Sequence, residues 1–210
     1  MLGMSNVNRV QHININRFEI KSADTDDPVS KRISWNPLAL GGCKYKAQTM
    51  TVLGDTIEIK ESTSSKLMLA VFWITGLVLC YFASQSDFEG WWITMFIGVV
   101  FTVVGLAATF LFFETLTFDK AQGVYFRGQY EPEKTFVNRQ KQGRLADIYA
   151  LQILSEHLHS GVSPFISYEL NLVFENGERL NVMDHGDLSA LEDSAMRLAE
   201  LIHVPIWKAY

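Results

Sequence analysis

No Asp, Glu, Lys, Arg or His occurs at residues 67–84 or 91–113, and only residues 85–90 separate the two stretches. A bilayer core about 30 Å thick takes roughly 20 apolar helical residues to cross. Both stretches meet that length, the first narrowly, so a tight transmembrane hairpin is expected. The absence of an ionisable residue inside either span argues against a channel or transporter, because such residues mark ion and proton pathways. Cysteine is scarce as well. Cys43 and Cys80 are the two present, one outside the spans and one within, which excludes a disulfide scaffold and fits a reducing compartment. Basic excess is missing: the formal net charge is -5, so there is no footprint for nucleic acid. No GxxxxGK[ST] phosphate loop is present. The first sixty residues hold no short apolar run behind a basic start, so the first span is expected to act as the insertion signal.

The charges that are present set an orientation. The connection holds Asp87 and Glu89 and no base, whereas Lys60, Lys66, Lys120, Arg127, Lys134, Arg139, Lys141 and Arg144 flank the outer ends of the spans. The positive-inside rule then places both termini in the cytoplasm and the short loop outside. Phe88, Trp91 and Trp92 fit an aromatic belt at the outer interface. Gly98, Thr102, Gly105 and Thr109 recur along one side of the second span, and Gly76, Cys80 and Ala83 along the first. Small residues let helix backbones approach, so these stripes are expected to face each other within one hairpin. A pore or oligomer interface is the alternative use of the same pattern.

About 160 residues remain outside the hairpin, enough for one domain of ordinary size. The expected organisation is an N-terminal arm at 1–46, the first part of a β domain at 47–66, the hairpin at 67–113, and the rest of the β domain at 114–210. Residues 48–53 and 56–61 read as strands joined at Gly54, and 114–119 and 123–129 as a second hairpin. A longer polar segment, 130–144, follows. Strands are then expected at 146–154, 166–175 and 179–183, with Asn176-Gly177 as a turn. Residues 167–174 alternate: Tyr168, Leu170, Leu172 and Phe174 share one face, and Ser167, Glu169, Asn171 and Val173 the other. Asp187 caps a final helix over 187–203, with Leu188, Leu191, Ala195, Leu198 and Ile202 on its core side and Pro205 ending it. In the arm, 13–20 reads as an extra strand and 24–27 as a loop.

Seven strands in a meander plus a C-terminal helix is the order of a pleckstrin-homology-like antiparallel barrel or sandwich. The predicted fold is therefore α+β with a membrane α-helical hairpin, the spans interrupting the domain between its second and third strands. Residues 34–38 (SWNPL) with Gly41-Gly42, and 168–173 (YELNLV) through Asp184-His185-Gly186, resemble an uncharacterised family of bacterial two-span inner-membrane proteins. That resemblance implies the same layout: arm, two spans, β-rich tail and last helix. The chain is also similar, on topology alone, to membrane-anchored bacterial pleckstrin-homology-like domains, and topology does not fix function.

Four groups of residues carry possible chemistry. Lys134, Arg139, Lys141 and Arg144 form a basic stretch without an acid. If strands alternate direction, the loop holding them lies near the membrane and attracts anionic headgroups, at about 1 kcal/mol per base; topogenic charge is the plainer reading. His157, His159 and His185 are possible zinc ligands by residue type, although their spacing matches no standard motif, and strand alternation places His185 at the end far from the membrane. Asp184-His185-Gly186-Asp187 invites an acid–base role, but a turn with a helix cap accounts for Gly186 and Asp187, and no nucleophile accompanies the pair. Trp35 with Asn36-Pro37 and Gly41-Gly42 reads as a turn-rich plug over the barrel.

The expected function is a non-enzymatic membrane-anchored adaptor, without cofactor, presenting an edge, groove or loop to a protein partner. Two alternatives remain beside it as binding roles: immunity against a membrane-targeting toxin, and binding of anionic lipid headgroups. An enzyme acting on lipid or a small substrate would have only His157, His159, Asp184 and His185 to work with.

Overall fold

The computed structural model describes residues 27–38, 42–44, 46–87, 89–134, 138–160 and 163–210. The possible strand at 13–20 lies outside them. Two antiparallel strands, β1 (Gln48–Leu53) and β2 (Thr56–Glu61), open the β region and turn at Gly54, whose φ of +61° suits a residue without a side chain. Ser62 follows directly and caps α1 (Thr63–Ser84), its Oγ accepting from Ser65 N at 3.3 Å. After a short connection α2 (Trp91–Phe112) returns. Each helix has 22 residues, or about 33 Å at 1.5 Å per residue, so both are long and apolar enough to cross a membrane. They are also largely uncovered: Leu67 is 66% exposed, Phe96 67% and Phe110 82%. A core helix of a soluble domain would bury such side chains.

The two helices touch through their small residues. A Cβ placed on Gly98 would lie 2.7 Å from Cys80 Sγ and 2.8 Å from Gly76 O. One placed on Gly76 would lie 2.6 Å from Gly98 O. Thr102 and Thr109 return their hydroxyls to the carbonyls of Gly98 and Gly105, both at 2.8 Å, so neither leaves an unpaired polar group in apolar surroundings. The stripes read from the sequence therefore face each other within one hairpin.

The chain re-enters the same sheet. β3 (Leu116–Asp119) pairs antiparallel with β2, Ile59 opposite Leu116, and β4 (Val124–Arg127) pairs with β3. The helical hairpin thus sits between two hydrogen-bonded neighbours, and both helices leave one end of the sheet, called here the root end. β5 (Gln142–Arg144) adds a fifth strand beyond β4. A single turn of 3-10 helix over Leu145–Asp147 leads to the second sheet, ordered β8–β7–β6–β9. It is built from β6 (Ile148–Ser160), β7 (Ser163–Phe174), β8 (Arg179–His185) and β9 (Ile206–Ala209). Between β8 and β9 lies α3 (Leu188–Ile202), with Asp187 as its cap. The main core fills the space between the sheets under α3. Phe118, Tyr125, Leu151, Leu172, Leu191 and Leu198 are all fully buried there.

Three expectations need correction. The described strands do not close into a barrel. They form two sheets that meet at one isolated bridge, Lys46 to His185, with β5 and β9 as outer strands. Residues 142–144 are a strand and not part of a loop. Because β5 adds one reversal, every later strand runs opposite to the sevenfold count. His185 consequently lies at the root end: it bridges Lys46, and Asp184 N donates to Gln48 Oε1 at 3.1 Å, where Gln48 pairs with Glu61 just before α1.

A second core lies on the outer face of the four-stranded sheet. The alternation along β7 holds, but both of its faces are covered. Ser167, Glu169, Asn171 and Val173 are at most 5% exposed, because residues 27–38 and 42–44 of the arm lie over them. Val29, Ile33 and Trp35 pack there against Ala150, Val173 and Trp207. Trp35 is therefore no plug over a barrel mouth. Its ring lies 6.3 Å from that of Trp207, tilted by 43°, on the outside of the sheet.

Candidate functional site

The arm is fastened by polar bonds in chain order. Asp27 accepts from Val29 N at 2.7 Å, from Ser30 N at 3.0 Å and from the Tyr149 hydroxyl at 2.6 Å. Burial acts to raise its pKa, but these bonds and Arg32 outweigh it and hold the carboxyl below the usual carboxylate range. Trp35 Nε1 donates to Ser30 O at 3.0 Å. Further along, Leu38 N donates to both oxygens of Glu169, at 2.8 and 3.0 Å, and Asn171 Nδ2 also donates to Glu169. Arg179 donates to Asn36 O at 2.9 Å and to Gln152 Oε1 at 3.1 Å. Its burial lowers its pKa, and the field of Glu169 works against that shift. Cys43 N finishes the strap on Ser167 Oγ at 2.9 Å. This network gives the buried polar row on β7 a structural role.

The four bases of 134–144 do not act as one patch. Lys134 pairs with Glu131, and Lys141 lies 3.9 Å from Glu114; both face the root end. Arg144 is opposite Val124, at the far end of β5, and pairs with Asp147 at 2.9 Å. Arg139 turns to the other sheet, where it donates to Glu178 Oε2 at 2.7 Å and Asn176 Oδ1 at 3.1 Å and covers the Phe174 ring at 4.7 Å.

The histidines are similarly divided. His157 pairs with Ile166 and is exposed, while His185 pairs with Tyr168 and is buried. β7 lies between them and their partners on it are two residues apart, which sets their backbones about 12 Å apart at ordinary strand spacing and rise. His159 occupies β6 opposite Pro164. Among the described residues no three His, Cys, Asp or Glu side chains group as metal ligands do. His185 Nδ1 accepts from Asp187 N at 2.8 Å, so its proton sits on Nε2. Asp184 is half-buried beside Glu169. Burial raises its pKa, the carboxylates of Glu169, Glu156 and Glu61 add to the rise, and the bond from Asn181 opposes it.

Two clefts meet at Arg139. One, of about 580 Å³, is lined by Arg139, Phe174, Asn176, Glu178 and Arg179. The other, of about 410 Å³, lies between Arg139, Arg32, Asp147, Tyr149 and Glu175. They flank the β7–β8 turn, at the end of that sheet opposite His185. Sequence reasoning missed this surface, since Arg139 lies 107 positions from Arg32 and 40 from Arg179. The signal available was the turn itself, Asn176-Gly177, set between two charged residues. Comparison with family models, curated proteins and solved structures finds no match. The geometry therefore carries the functional argument alone.

Proposed function

We propose that this chain is a non-enzymatic, membrane-anchored adaptor of a bacterial inner membrane. α1 and α2 span the bilayer, both termini lie in the cytoplasm, and the β domain is a pleckstrin-homology-like module interrupted by its own anchor. Two observations support the placement. The helices expose apolar side chains that lipid would cover, and the bases fall outside the spans while the connection holds only acids.

The clefts at Arg139 carry the binding part of the reading. Arg is enriched among residues that dominate protein interfaces, because its planar group stacks on rings and forms paired bonds with carboxylates. Here it is already ordered by Phe174, Asn176 and Glu178, so little side-chain freedom is lost on binding. Arg32 and Arg179 stand on either side of it. The partner that fits is an acidic protein segment laid across the turn, its carboxylates taking the place of Glu178.

Crosslinking from native membranes tests this reading. The intact chain is expected to recover one protein in stoichiometric amount, and a chain carrying Arg139→Ala and Arg32→Ala to recover at least ~10-fold less, equivalent to about 1.4 kcal/mol. Recovery of the same protein in equal amount by both chains, or of no stoichiometric protein by the intact one, contradicts it.

A further inference from the structure

A third cavity lies at the root end, where the chain comes out of α2. Its volume is about 410 Å³, within the roughly 300–1,000 Å³ of small-molecule sites. Glu114 lines it two residues after α2 ends, and Arg127 lines it from the last position of β4. Leu116 pairs with Arg127, so the two side chains share the core-side face, in the first row of the sheet beyond the helix.

The far wall is formed by Glu131, Lys134, Asn138 and Lys141, and a buried side chain braces it. Gln142, 7% exposed, donates through Nε2 to Glu131 O and Lys134 O, both at 3.0 Å, and accepts from Glu131 N at 3.2 Å. Both N–H groups and the carbonyl oxygen of that amide are engaged by the backbone of Glu131 and Lys134. Into the cavity project three cations, Arg127, Lys134 and Lys141, and two carboxylates, Glu114 and Glu131. The carboxylates lie against Lys141 and Lys134. Arg127 has no carboxylate partner among the described residues.

We infer that this cavity is a headgroup site for a glycerophospholipid of the cytoplasmic leaflet. The inference rests on the membrane placement proposed above. Arg127, joined by Lys141, holds the phosphodiester, since a guanidinium binds two phosphate oxygens at once. Glu131 and Glu114 accept from a donor on the far side of the headgroup, either a glycerol hydroxyl or a primary ammonium. A headgroup whose outer nitrogen carries three methyl groups offers no such donor. The site therefore differs from a general basic surface: it selects for a phosphate followed by a donor, and it involves only two of the four bases of 134–144.

The full chain, delipidated in detergent, is titrated with short-chain phosphatidylglycerol, phosphatidylethanolamine and phosphatidylcholine, and bound lipid is counted by native mass spectrometry. One molecule of the glycerol or ethanolamine lipid is expected per chain, at least ~10-fold tighter than the choline lipid, a difference of about 1.4 kcal/mol. Arg127→Gln with Lys141→Gln removes that binding. Arg144→Gln, the same kind of charge loss at the other end of β5, retains it. Glu131→Gln weakens the ethanolamine lipid and narrows its lead over choline. Thermal melting of each variant without lipid checks that the domain is intact. Equal retention of the three lipids, unchanged binding in the doubly substituted chain, or equal loss in Arg144→Gln overturns the inference. Glycerol phosphate binding as tightly as the lipid identifies a soluble phosphate ligand and overturns the lipid source. None of these failures bears on the membrane placement, which topology mapping tests separately.

Discussion

Replacing Gly98 with Leu is expected to abolish the folded hairpin. The first carbon of any side chain there already meets Cys80 Sγ at 2.7 Å, Gly76 O at 2.8 Å and Cys80 N at 2.9 Å. Two of those three atoms are backbone and cannot rotate away. In lipid the helices gain nothing from hydrophobic burial against each other, so close packing is what keeps them together. Over-packing costs about 1–3 kcal/mol where neighbours can shift, and backbone neighbours place this position at or above the upper end. Because α1 and α2 link β2 to β3, separating them also pulls on a paired strand. Gly98→Ala is expected to show a lesser loss, and Val103→Leu, on the 59% exposed face of the same helix, none. The check is the yield of monodisperse protein in mild detergent and its melting midpoint. A Gly98→Leu chain as stable as the parent contradicts the observed helix contact.

Trp207→Ala is the second large effect. Trp207 is 1% exposed and lies between Tyr149, at a ring distance of 5.9 Å, and Trp35, at 6.3 Å. It is the one large residue joining three things: β9, the outer face of the four-stranded sheet, and the arm. Truncating a buried aromatic costs about 3–5 kcal/mol. For a domain of this size that lowers the melting midpoint by roughly 6–20 °C. Trp35→Ala, at a half-buried position, is expected to cost less and chiefly to free the arm, read out as faster proteolysis between Asp27 and Cys43. A Trp207→Ala protein that melts with the parent contradicts the second core.

These two residues also show what the sequence reveals and what it hides. Gly98 was legible because a span without charge leaves small residues as its only pattern, and in lipid that pattern has one main use. Trp207 was not. β9 is a four-residue strand behind Pro205, too short for alternation to register, and it pairs in parallel with a strand more than fifty positions away. The burial of Glu169 and Asn171 is hidden for a related reason. Polar residues on alternate positions of a strand ordinarily face water, and only the arm, crossing from more than a hundred positions upstream, turns that face into an interior.

The position of His185 failed through counting. An end assignment by strand alternation depends on every strand being visible, and residues 142–144 (QGR) carry no β-branched or aromatic residue to announce β5. One missed strand reverses every later end assignment. The basic stretch is divided in part for the same reason: Lys134 and Lys141 sit at the root end, but β5 carries Arg144 to the other, and Arg139 is drawn to Phe174.

The central claim is that a two-span anchor interrupts a cytoplasmic β domain between two paired strands. Single cysteines read this directly. In a chain with Cys43→Ser and Cys80→Ala, a cysteine is placed at Asp87, at Asp55 or at Asp119, and intact cells are treated with a membrane-impermeant maleimide. The account predicts labelling of the Asp87→Cys chain in intact cells, and of the Asp55→Cys and Asp119→Cys chains only after the membrane is opened. Asp55 and Asp119 labelled in intact cells with Asp87 protected, or all three protected together in a chain that alkaline carbonate extracts from the membrane, contradicts it.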